Sequence, residues 1–242
     1  MRKYRLIFAG ENACVITLVS LTCSAMKSKL IVALDVDHLD RAHSLIRELR
    51  DHVDIFKVGS QLFTAAGPAI VAFINEQNKK CFLDLKFHDI PNTVAKAVES
   101  VASLRVTMLT IHASGGAEML RAASGVSPRP VLLGVTVLTS VAGDVRQEVL
   151  RLAKLSKECG LDGIIASPHE IRLVREELGE EFLIVTPGIR PVWAEAGDQK
   201  RVTTPGEVVA AGADYIVVGR PIIAANDPAT AARRIIAEIV SA

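Results

Sequence analysis

From Leu30 onward, short β-branched apolar runs alternate with helical patterns, and the alternation repeats eight times. Strands are predicted at 30–34, 53–58, 81–85, 107–112, 131–137, 162–166, 182–186 and 215–218. Helices are predicted at 39–50, 60–77, 91–104, 115–124, 144–159, 168–178, 205–211 and 226–240. The strand segments are nearly continuous apolar runs, as required when both faces of a sheet are covered. Pro91, Ser167-Pro168 and Thr204-Pro205 mark helix starts. Eight such units joined by right-handed crossovers are expected to close into an α/β fold, a (β/α)8 TIM barrel. An open doubly wound sheet is the alternative. No G-x-G-x-x-G follows the first strand and no G-x-x-x-x-G-K-[ST] occurs, which weighs against nucleotide-cofactor and P-loop readings.

Charges collect where the first three strands end. Leu30–Leu34 runs into Asp35, Val53–Phe56 runs into Lys57, and Cys81–Leu83 closes with Asp84-Leu85-Lys86 and then Phe87-His88-Asp89. A lone charge on an apolar strand costs several kcal/mol to desolvate, so such charges are expected to pair. Asp84 and Lys86 are two apart and on a regular strand face the same way. With neighbouring strands, Asp35, Lys57, Asp84 and Lys86 form one patch of alternating sign. In a barrel that patch lies at the C-terminal strand ends, the face that carries active sites.

A net charge of +1 gives no argument for a polyanionic or membrane partner, and a 4% aromatic share disfavours a base-stacking surface. Neither nucleic acid nor membrane is therefore expected as a partner. The four cysteines, Cys14, Cys23, Cys81 and Cys159, have neither C-x-x-C spacing nor a Cys/His cluster, so free thiols in a reducing cytoplasm are expected. Cys81 lies on a core strand and reads as packing. The start of the chain differs from the rest. Met1–Arg5 is basic, Ala13–Leu21 is mostly apolar, and Cys23-Ser24-Ala25 is small, the outline of a secretory signal. The apolar run is too short to span a bilayer, and Met26 stands just before the first strand. Residues 1–25 are expected to be an extension outside the domain, and 26–242 a single catalytic barrel.

A second constellation occupies the last third. Thr186-Pro187-Gly188-Ile189-Arg190-Pro191 closes strand seven and opens a polar loop through Gln199, and strand eight ends Val218-Gly219-Arg220-Pro221. Barrels commonly hold phosphate with the loops after strands seven and eight and a following helix N-terminus. Gly219 permits close approach of backbone N–H groups, and Arg220 offers a bidentate fork. A small phosphorylated substrate reaching from here to the charge patch is expected.

Together these segments resemble the orotidine 5′-phosphate decarboxylase family. The resemblance rests on Leu34-Asp35, Lys57-Val58-Gly59, the run Asp84-Leu-Lys-Phe-His-Asp-Ile-Pro-Asn-Thr93, Val135–Ser140, Thr186–Pro191, Asp198-Gln199 and Val218–Pro221, in order over roughly 30–240. It implies a cofactor-free cytoplasmic homodimer that converts orotidine 5′-monophosphate to uridine 5′-monophosphate and carbon dioxide. It also implies roles: Lys86 as proton donor, Asp84 against the departing carboxylate, and Asp35 and Lys57 completing the network and contacting ribose. Asp89 and Thr93 reach into the neighbouring subunit's site. Thr139 and Ser140 address the pyrimidine, while Arg190, Gln199, Gly219 and Arg220 hold the phosphate.

Other chemistries share parts of this pattern. A magnesium-dependent sugar-phosphate decarboxylase or hexulose-phosphate synthase shares the D-x-K-x-x-D core. A non-catalytic nucleotide-binding barrel is disfavoured by an intact Asp84/Lys86 pair. A Schiff-base aldolase is disfavoured because flanking carboxylates keep Lys86 protonated. His88 reads equally as packing or as support for the site, and His112 as a structural histidine. His38, His43, His52 and His169 are expected to face solvent, and Trp193 to pack in its loop.

Overall fold

In the computed structural model, which describes residues 29–138, 143–194 and 203–242, parallel strands pair in chain order and the eighth returns to the first. They are β1 (Leu30–Ala33), β2 (Ile55–Gly59), β3 (Lys80–Phe87), β4 (Met108–His112), β5 (Val131–Val135), β6 (Gly163–Ile165), β7 (Leu183–Thr186) and β8 (Tyr215–Val218). The pairing Ile31↔Val217 between β1 and β8 closes the barrel and removes the open-sheet alternative. The helices are α1 (Leu39–Leu49), α2 (Ser60–Ala66), α3 (Ala69–Glu76), α4 (Pro91–Ser103), α5 (Gly116–Ser124), α6 (Arg146–Glu158), α7 (Ile171–Leu178), α8 (Pro205–Ala210), α9 (Arg220–Ile223) and α10 (Pro228–Val240). The expectation for 1–25 lies outside the described residues. Among those described, no helix is long and apolar enough to cross a membrane.

Most predicted elements fall within a few residues of those observed. The helix expected over 60–77 is two helices, because Gly67 takes a left-handed φ of 57° and Pro68 has no N–H to continue the ladder. The short helix α9 was not expected; Arg220-Pro221 starts it, with Pro in the first turn where its missing N–H costs nothing. At the Thr204-Pro205 signal, Thr204 and Glu207 form a capping box at the start of α8.

Strand alternation sorts the core into two layers. Ile31, Ala33, Ile55, Phe82, Met108, Leu133, Val185 and Val217 fill the barrel interior. Their alternating neighbours, such as Leu30, Val32, Phe56, Val58, Leu83 and Leu109, are sealed beneath the helices. Each large apolar side chain so buried contributes about 1.5–3 kcal/mol. Space inside is limiting: at Gly163 a Cβ would stand 2.4 Å from the Leu183 carbonyl oxygen.

Charges at the N-terminal strand ends are used structurally. Asp162, just before β6, pairs with Arg129 and accepts a hydrogen bond from the Leu132 N–H at 2.8 Å. Asp214, just before β8, pairs with the buried Arg175 and accepts from the Ile184 N–H at 2.7 Å. Asp54, just before β2, pairs with Lys79 at 3.0 Å. These aspartates tie strand to strand, so their charges serve the structure at this face.

Candidate active site

At the opposite end, the interior rows continue into charge. Asp35 follows Ala33 by two residues, Lys57 follows Ile55, and Asp84 follows Phe82, each stepping onto the same inward face. The register Ala33↔Lys57 and Gly59↔Asp84 places these groups side by side. Lys57 Nζ lies 3.0 Å from Asp35 Oδ1 and 3.6 Å from Asp84 Oδ2, and Lys86 Nζ lies 3.0 Å or closer to Asp84, at 2.8 Å from Oδ1. The four charges expected from sequence therefore form one network of zero net charge. Burial pushes the Asp84 carboxyl up, but Lys57, Lys86 and hydrogen bonds from Lys86 and Thr110 outweigh it and hold it below the usual carboxylate range.

The contact between Asp84 and Lys86 is not made by regular strand geometry. Pairing of β3 with β4 breaks register between Leu83 and Phe87, and Lys86 takes a left-handed φ of 51°. A side chain makes up for the missing ladder bond: the Lys86 N–H donates to Thr110 Oγ1 at 2.9 Å, and the Thr110 hydroxyl donates to Asp84 Oδ1 at 3.0 Å. Thr110 is fully buried. Sequence reasoning did not single it out, although a lone hydroxyl inside Met-Leu-Thr-Ile-His is the available signal. The sequence marks Gly59 only as part of the family pattern. Here its missing Cβ leaves room for the Lys57 ammonium, which such a carbon would approach to 3.1 Å.

A cleft of about 240 Å³ joins this network to the arginine end. Asp35, Lys57 and Asp84 line it together with Gly188, Arg190, Gly219 and Arg220. Arg190 is buried at 5% exposure, and its N–H donates to the Thr203 carbonyl at 3.2 Å. Gly219 precedes α9 and its carbonyl accepts from the Ile222 N–H at 2.9 Å. Trp193 packs its loop as expected: Nε1 donates to Glu238 at 2.7 Å, and the Arg234 guanidinium lies 4.2 Å from the ring centre. One end of the cleft can hold an anion; the other presents a carboxylate and an ammonium side by side.

Other expected site residues are not brought into this network. Asp89 is exposed and its Oδ1 accepts from the Ile90 N–H at 2.7 Å. Thr93 is exposed on the first turn of α4. Thr139, Ser140 and Gln199 lie outside the described residues. His88 and His112 have ring centres 5.5 Å apart. Burial, His88 and Lys86 together push the His112 imidazole down from its ordinary value, against the pull of Asp84. His43 departs from expectation: it is half-buried and stacks on Phe73 at 3.7 Å, because its face of α1 meets α3.

A closed parallel barrel with two arginines at one end of its cleft and an Asp–Lys–Asp–Lys network at the other has the form of a barrel enzyme that anchors an anionic substrate away from the reacting bond. Residues 28–235 match the family described as Orotidine 5'-phosphate decarboxylase / HUMPS family, and the chain belongs to that family. It is 49% identical over 233 residues to the orotidine 5'-phosphate decarboxylase of Moorella thermoacetica, covering 88% of this chain and 92% of that one. The corresponding protein of Syntrophotalea carbinolica is 48% identical, over 89% and 96%. The crystal structure of orotidine 5'-phosphate decarboxylase from Lactobacillus acidophilus superimposes with a TM-score of 0.76 at 38% identity, covering 88% of this chain and 99% of that one.

Proposed function

We propose that this chain decarboxylates orotidine 5′-monophosphate to uridine 5′-monophosphate and carbon dioxide, without a metal or organic cofactor. The observation that carries the reading is the Lys86 ammonium, held 2.8 Å from the half-buried Asp84 carboxylate while its own side chain stays 36% exposed. The ring–carboxyl bond breaks heterolytically, carbon dioxide leaves, and the electron pair remains on a ring carbon unable to delocalise it well. A fixed cation at that carbon stabilises the developing charge, and Lys86 then donates its proton to it. Asp84 faces the departing carboxylate; two like charges about 4 Å apart repel by roughly 4 kcal/mol at an effective dielectric near 20. Lys57 and Asp35 keep the network in place and meet the ribose hydroxyls.

Arg190, Gly219 and Arg220, with Gln199, take the phosphate, and Thr139 and Ser140 the pyrimidine. Binding energy gained at the remote phosphate helps to organise the reacting end. Asp89 and Thr93 act in the site of a second copy in a homodimer. In support, both are exposed, and so is Ile90 between them, at 66%.

The test is turnover of orotidine 5′-monophosphate by wild type and by Lys86→Ala, each with and without excess chelator. Turnover is expected to survive chelation, and Lys86→Ala to retain less than about a tenth of wild-type kcat, a loss above ~1.4 kcal/mol. Loss of wild-type turnover in chelator would favour the magnesium-dependent sugar-phosphate chemistry.

A further inference from the structure

We propose that Thr110 is a positioning residue for catalysis: its single hydroxyl locks the Lys86 ammonium and the Asp84 carboxylate into one hydrogen-bonded ring. The inference rests on the decarboxylase reading above. A hydroxyl has one proton to give and lone pairs to accept. Here its role is forced on both sides. The Lys86 N–H can only donate, so Thr110 Oγ1 accepts from it at 2.9 Å. The ionised Asp84 can only accept, so the Thr110 proton goes to Oδ1 at 3.0 Å. That same Oδ1 receives Lys86 Nζ at 2.8 Å. Lys86 is thus gripped at its backbone and at its ammonium, through one side chain and one oxygen atom.

Three features make this more than an incidental contact. Regular β3–β4 pairing is interrupted at this point, so the Thr110 hydroxyl takes the place of a backbone carbonyl for Lys86. Lys86 is left-handed there, a conformation an L-residue with a Cβ keeps only when its surroundings hold it. Thr110 itself is fully buried and sits on the inward row directly after Met108, and its β-branch restricts χ1. Without the hydroxyl, the Lys86 N–H loses its partner, the backbone relaxes, and the ammonium swings away from the place fixed for it by Asp84.

The test compares Thr110→Val, which keeps the shape and removes the hydroxyl, with Thr110→Ser, which keeps the hydroxyl, in the full chain. Thr110→Val is expected to lower kcat by about 10- to 100-fold, with KM within about 3-fold because the arginine end is untouched. Its acid limb moves to higher pH, since Asp84 loses a hydrogen bond that favours the ionised form. Thr110→Ser is expected within about 3-fold of wild type in both constants. Thr110→Ala serves as a second hydroxyl-free variant, with the Thr110→Val result expected, should valine not fold. Crystal structures read the geometry without turnover: Lys86 Nζ should leave Asp84 in the hydroxyl-free variant and stay in Thr110→Ser. The proposal is overturned if the hydroxyl-free variant keeps kcat within about 3-fold, if serine falls as far as valine, or if Lys86 keeps its backbone and its Asp84 contact without the hydroxyl. A wild type that fails to turn over orotidine 5′-monophosphate, with Lys86 nevertheless displaced in the hydroxyl-free crystal, would refute the function and uphold the positioning.

Discussion

Gly59 illustrates how little room the charged residues have. Its backbone, φ −92° and ψ −179°, is open to any residue, so flexibility does not explain a glycine there. Space does: a Cβ would stand 3.1 Å from Lys57 Nζ and 3.5 Å from Asp35 Oδ1. Gly59→Ala should shift the ammonium by a few tenths of an ångström and lower kcat/KM about 10-fold, or ~1.4 kcal/mol, with melting temperature nearly unchanged. Steady-state kinetics with a thermal melt would check this, and an unaltered kcat/KM would remove Gly59 from the site. At this scale the sequence is legible where a residue is chemically conspicuous. Asp35, Lys57, Asp84 and Lys86 stand out as charges on apolar strands, and the structure joins them. Thr110 and Gly59 do not stand out. One is a common β-former, the other acts through an atom it lacks, and both depend on register that spacing within a single strand does not reveal.

Among the elements, all of the strands could be read because both-face burial makes apolar runs that end abruptly at Gly, Pro or charge. The reading failed where local geometry overrides periodicity. Residues 60–77 carry one helical pattern, yet Gly67-Pro68 divides them; β3 runs past its apolar stretch to Phe87 because a side chain replaces part of its ladder. β6 shows how narrowly the interior is filled. Gly163 pairs in register with Leu133 on one side and Leu183 on the other, and any side chain there meets the Leu183 carbonyl. Gly163→Ala should therefore force β6 and β7 apart and destabilise the fold by about 2–3 kcal/mol, lowering the melting temperature by roughly 4–12 °C. Calorimetry would measure it. A melt within a degree of wild type would mean the two strands separate at no cost.

For the whole molecule, the separation of the two barrel ends sets what a second copy can supply. Structural ion pairs occupy the N-terminal strand ends, whereas Asp89, Ile90 and Thr93 are exposed beyond β3 on the reactive side. If Asp89 completes a neighbour's site across a two-fold axis, Lys86→Ala and Asp89→Ala homodimers are each nearly inactive, and mixing with subunit exchange restores roughly a quarter of wild-type activity. Exchange without recovery, shown by mass-tagged subunits, would place Asp89 within its own chain's site. The left-handed turn at Lys86 has a further consequence for the stability of the protein. At an ordinary strand position alanine outlasts glycine; at residue 86 the order should reverse, with Lys86→Gly more stable than Lys86→Ala by about 1 kcal/mol because only glycine rests there unstrained. Thermal melts of the two variants would measure the difference, and a Lys86→Ala melting temperature at or above that of Lys86→Gly would show that residue 86 holds no backbone strain.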